Sequence, residues 1–194
     1  MDLIASLSAR LRPTDAHARI ALAAELADRV FPLYQEYWTG TYSEEVRRSI
    51  ELVWARACDE PVDDHELQAC LKEVRETNSY YLDEGIDVLA NAVTVVLRAI
   101  EAVVASEDDS ILAVARALTT AIDAAVAAEA MANQESSNDQ QKELAEAEEE
   151  SWQERALALV DGWKGVARRD MFASLGGKPP AWLDDWKVRT ANVR

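Results

Sequence analysis

A chain of 194 residues with 49% hydrophobic content can bury a sizeable core, which argues against wholesale disorder. Its formal charge of −16, from 36 acidic against 20 basic residues, disfavours general nucleic-acid binding, because an acidic body repels phosphate backbones and attracts basic partners. Only six glycines and five prolines, together with alanine runs such as "AIDAAVAAEAMA", favour helix over sheet.

The first residues, "MDLIASLSARLR", place Leu3, Ile4, Leu7 and Leu11 on one face of a short helix that Pro13 stops. They carry no long apolar run and no small-residue cleavage site, so they do not read as a secretory signal. No stretch approaches the roughly 20 apolar residues that cross a bilayer, so no membrane partner is expected. With just two cysteines, Cys58 and Cys70, the expectation is a reducing, cytoplasmic setting in which both thiols pack in the interior.

Thr14 is placed to cap the next helix, whose inward face is Ile20, Ala23, Ala27, Val30, Tyr34 and Trp38. Pro32 predicts a kink or a break within it. Around that proline, the spacing of Tyr34 and Trp38 says core, whereas Tyr37 and Tyr42 are candidates for exposure. Thr41 and Glu44 have capping-box spacing, and the helix after them buries Val46, Ile50, Val53, Trp54 and Ala57 before Pro61 ends it.

"PVDDHELQAC", residues 61–70, gathers three carboxylates and an imidazole, the raw material of a metal site. The Leu67, Cys70, Leu71, Val74 stripe begins at once after it, so Asp63 or Asp64 reads as an N-cap. His17 is the only other histidine, which leaves a His-rich or Cys₂His₂ zinc site without ligands.

The strongest helical pattern is "LDEGIDVLANAVTVVLRAIEAVVAS". Leu82, Ile86, Leu89, Val93, Leu97, Ile100 and Val104 form one stripe. Asp83, Asp87, Asn91, Thr94, Arg98 and Glu101 form the other. A helix this apolar belongs at the centre of a bundle. Ser106 and Asp109 then open another helix with capping-box spacing, using Leu112, Ala115, Leu118, Ile122 and Val126.

Residues 132–143, "ANQESSNDQQKE", read as a polar loop. The helix beyond it is expected to bury Trp152, Ala156, Leu159, Trp163 and Val166 and to stop at Gly176 and Gly177. Glu143, Glu146 and Glu149 stand at the Glu-x-x-Glu spacing that magnesium-dependent nucleotide hydrolases use. Beside a polar loop, a solvated first turn is the simpler reading. No β-alternation of useful length occurs.

The expected architecture is an all-α, single-domain bundle of seven to nine helices over residues 1–175. A Trp-containing C-terminal tail, residues 176–194, packs on it. From 164 onward the chain has seven Lys and Arg against three Asp, a net of +4, which leaves about −20 on the remainder.

The succession "FPLYQEYW", "VRRSIELVWARA", "SYYLDEGIDVLANAVTVVLRAIEAV", "ILAVARALTTAIDAAV" and "EEESWQERALALV" resembles the YjaG-like family of bacterial helical proteins, a domain of unknown function, over about residues 15–165. The resemblance implies an all-α fold and carries over no catalytic residue.

No nucleophile elbow or phosphate-binding glycine loop is present, and no motif calls for a cofactor, a resident metal or a catalytic group. The expected function is a non-catalytic, acidic binding protein, of the immunity type that occludes a basic toxin. Its partner surface is expected to draw on Asp63, Asp64, Glu66, Tyr80, Tyr81, Asp83, Glu84 and Asp87, because tyrosine among carboxylates supplies contact area at low entropy cost. The alternative is an enzyme with a carboxylate-lined, metal-dependent site between helices, such as a nucleotide hydrolase.

Overall fold

The fold follows from three helices that each pack on four others. The computed structural model describes residues 2–37, 41–132, 139–175, 180, 182 and 183, without the side chains of 35–37, 41, 42 and 132. The seven helices among the described residues are α1 (Leu3–Leu11), α2 (Ala16–Tyr37), α3 (Thr41–Ala57), α4 (Asp64–Asp83), α5 (Asp87–Val104), α6 (Glu107–Ala132) and α7 (Asp139–Gly162). A single 3₁₀ turn, Ala173–Leu175, follows, and no strand occurs among the described residues. The protein is an all-α bundle.

Helix α5 packs on α2, α3, α4 and α6, and α2 packs on α3, α5, α6 and α7. Helix α6 also packs on four others, α1, α2, α5 and α7, so α2, α5 and α6 together form the centre. In α5, Leu89, Val93, Leu97 and Ile100 are buried as the stripe requires, and the additional burial of Val88, Val95 and Val96 reflects neighbours on several sides. In α6 the expected Ala115 and Leu118 are buried, but the rest of the buried face is turned from the expected one. Ile111, Val114, Ala117, Leu118, Ala121, Ala124, Ala125 and Ala128 face inward, whereas Leu112, Ile122 and Val126 are only half-buried. Alanine at the contact lets α5 and α6 approach closely, so small residues take the inward face in preference to larger ones. Helix α6 is long and apolar enough, by length and composition, to cross a membrane, contrary to the expectation from the sequence; 56% of its apolar window is buried inside the bundle.

Helix boundaries depart from the sequence reading in four places. The expected continuous helix from Leu82 breaks at Gly85, which takes φ +69 between α4 and α5. Leu82 consequently falls in the last turn of α4 and stands 59% exposed instead of joining the core stripe. Helix α2 passes through Pro32 as one element, so of the kink or break expected there the break does not occur. Asp15, not Thr14, caps α2, accepting from the His17 amide at 2.9 Å, while the Thr14 hydroxyl bonds the Leu11 carbonyl.

The fourth departure is α7, which begins at Asp139 inside the expected loop and ends at Gly162, well before Gly176. Val166 is therefore outside the helix and exposed. The segment after Gly162 straps back over α3: the Ala167 amide bonds the Ala57 carbonyl at 3.2 Å, and the Phe172 ring lies 6.4 Å from Trp54 and 6.3 Å from Trp152. Trp182 and Leu183 are buried in the hydrophobic core, while Trp186 and the basic residues Lys178, Lys187 and Arg189 lie outside the described residues. Tyr37, Trp38 and Tyr42 likewise have no described side chains.

Candidate functional site

Helix α4 divides the expected partner surface. At a rise of about 1.5 Å per residue, its two ends lie roughly 28 Å apart, so Asp64 and Asp83 belong to different faces of the molecule. At the N-terminal end, Asp63 is the N-cap and accepts from the His65 amide at 2.8 Å. Asp64 pairs with Arg56 at 2.5 Å and Glu66 with Arg48 at 2.6 Å. These carboxylates fix α4 against α3, and their hydrogen-bonding capacity is partly spent inside the chain. "DDHE" starts a helix.

The C-terminal end differs. Tyr80 is 49% exposed and Leu82 59% exposed, beside the exposed Asp83, Glu84 and Asp87. Tyr81 points the other way and is buried, edge-on to Tyr34 with ring centroids 5.9 Å apart. It supports the corner from within, and its ring also meets Tyr80 at 5.3 Å. The Glu84 amide closes α4 on the Tyr80 carbonyl, and Gly85 supplies the left-handed backbone that turns the chain into α5. The result is a corner turned at Gly85, along which an exposed tyrosine, an exposed leucine and three exposed carboxylates follow one another in the chain.

A second polar constellation, in the interior, was not foreseen. Arg29 of α2 donates to Glu149 of α7 at 2.8 Å, with side chains only 7% and 1% exposed. The guanidinium carbon lies 3.9 Å from the Trp152 ring centroid, a cation–π contact. Gln153 donates to the other Glu149 oxygen at 3.3 Å and to the Leu118 carbonyl of α6 at 2.9 Å. Glu149, expected in a solvated turn, is thus a buried anchor joining three helices, whereas Glu143 and Glu146 are exposed.

One turn before Arg29, burial pushes the Glu25 carboxyl up to about 7; the charge of Asp28 adds to the rise and Arg29 opposes it. Asp28 itself faces α3, accepting from the Trp54 indole at 2.7 Å and from Arg47 at 2.8 Å. Arg47 continues to Glu51, which also holds Arg169 of the strap. Helix α2 thus ties α7 through Arg29 and α3 through Asp28. These ties are structural: both Glu149 oxygens are engaged. Among the described residues no three His, Cys, Asp or Glu side chains group as a metal site would need.

The thiols of Cys58 and Cys70 are both pushed up by burial, which disfavours the thiolate a nucleophile needs. No protein-family model, no curated protein and no solved structure matches this chain.

Proposed function

We propose that the protein is a non-catalytic, acidic binding protein that docks a basic protein partner at the α4–α5 corner. The observation that carries this reading is the exposure of Tyr80 and Leu82 beside Asp83, Glu84 and Asp87. Exposed Tyr80 and Leu82 each offer apolar contact area, and the neighbouring carboxylates steer a cationic partner. The overall charge of −16 accelerates the same encounter. A basic toxin, neutralised in the cytoplasm by occlusion of its active site, is the partner class this chemistry suits. The YjaG-like affiliation belongs to the same proposal, supported by the order of helices and aromatics along the chain.

The test is calorimetric titration against the product of a neighbouring toxin-like gene, at low and high salt. The expected result is a one-to-one complex that weakens with salt and is lost in Leu82→Asp and in Asp83→Arg/Glu84→Arg, with melting temperatures unchanged. Magnesium-dependent nucleotide hydrolysis abolished by carboxylate substitutions would overturn it in favour of an enzyme.

A further inference from the structure

On a chain with 36 acidic and 20 basic residues, three arginines from three helices line one cavity of about 320 Å³. They are Arg75 of α4, Arg98 of α5 and Arg116 of α6. Glu101 stands between the first two, with one oxygen on Arg75 at 3.1 Å and the other on Arg98. A guanidinium carries five N–H donors, so this single carboxylate leaves most of the donor capacity of both arginines unspent. Arg116 is exposed, and no carboxylate pairs with it among the described residues. The only other acid lining the cavity, Asp109, accepts from the Ser106 hydroxyl at 2.7 Å. Three cations against two anions make this a locally positive spot on a strongly negative protein.

We propose that this cavity binds a small phosphate-bearing anion. A carboxylate accepts mainly within its own plane, whereas a tetrahedral phosphate dianion accepts from several directions at once. Three arginines that line one cavity from three helices can supply donors from more than one side, as the second geometry requires. Glu101 acts as the positioning residue, holding Arg75 and Arg98 in place at low entropic cost before the ligand arrives. The size sits at the lower end of the ~300–1,000 Å³ typical of ligand sites, which suits a phosphate on a body of a few carbons resting against Val104 and Leu112. The site is distinct from the α4–α5 corner and does not depend on the partner reading.

The test uses the full chain in calorimetry with three probes: inorganic phosphate, glycerol phosphate and succinate. Because the body repels anions, nonspecific association is suppressed and a saturable signal reports a built site. Saturable one-site binding of phosphate or its ester, weakened at least tenfold in Arg116→Gln with an unchanged melting temperature, is the expected result. Arg155→Gln, on α7, should bind as the unaltered protein does. Glycerol phosphate binding more tightly than inorganic phosphate identifies an ester as the ligand, and equal affinities identify free phosphate. The proposal fails if neither phosphate probe saturates, if Arg116→Gln binds normally, or if succinate binds as tightly as the phosphates.

Discussion

Glu149 is buried at 1% exposure, and its worth depends entirely on what meets it there. Arg29 neutralises one oxygen, Gln153 reaches the other, and Trp152 covers the guanidinium. Removing one partner of such a pair strands the other in low dielectric, at a cost of about 3–5 kcal/mol. Glu149→Ala should therefore lose that much in urea denaturation. Glu149→Leu combined with Arg29→Met should recover a large part of it, because the pair's attraction is offset by its desolvation. Equal losses in the single and double variants would show that packing of α7, not the charge pair, carries the stability.

Glu25 provides a pH readout of the same interior. Its carboxyl is raised from 4.5 to about 7 by burial, so the fold favours the protonated form. The resulting stability is fully present below pH 4.5 and is lost as pH rises through about 7. A shift of that size corresponds to a loss of about 3 kcal/mol once the group is ionised. Glu25→Gln cannot ionise, so the variant should be more stable than the unaltered protein at pH 8 and nearly equal to it at pH 4. Denaturation curves at the two pH values check this, and a constant difference between them would contradict it.

Among the elements, α4 and α5 show how far periodicity alone reaches. Stripes of Leu67, Cys70, Leu71 and Val74, and of Leu89, Val93, Leu97 and Ile100, were legible because large apolar residues recur at helical spacing. The break between these helices was not, because residues 82–86 continue the same spacing and only Gly85 marks the turn. Its left-handed φ of +69 has no neighbouring atom within 4 Å of an added Cβ, so Gly85→Ala should cost about 1 kcal/mol through backbone strain alone. Asp63→Ala should cost about the same through loss of the cap, and Asp64→Ala much less, since its ion pair with Arg56 is exposed. Thermal melts of the three variants separate these effects. Helix α7 buries Trp152 and Ala156 as expected, but its bounds and the rest of its buried face were not legible, for a different reason. Two of its inward positions are Glu149 and Gln153, so its buried face carries no continuous apolar stripe. A polar residue can be buried only where a partner waits, and Arg29 lies 120 positions away in the chain. Local sequence holds no trace of that pairing. The arginine cavity was hidden likewise, since Arg75, Arg98 and Arg116 come from three separate helices.

At the scale of the whole molecule, the question is what the C-terminal segment does for the bundle. Trp182 and Leu183 are 3% and 0% exposed, within the same hydrophobic cluster as Trp152 and Phe172. The Leu183 amide bonds the Pro180 carbonyl at 2.9 Å. Fully burying a tryptophan and a leucine removes large apolar areas from water, on the order of several kcal/mol before the entropy of ordering the tail is subtracted. The basic charges of the segment contribute less, because exposed ion pairs are worth about 0–1 kcal/mol each. Truncation after Gly177 should therefore lower the melting temperature by several degrees and leave a monomer that stays folded. Trp182→Ala should reproduce most of that loss, and replacing Lys187 and Arg189 by glutamine should reproduce little of it. The competing arrangement, in which the tail engages a second chain, predicts unchanged melting and lost association in the same truncated protein. Sedimentation run alongside the melts distinguishes the two, since only tail-mediated association makes the sedimentation coefficient fall with truncation.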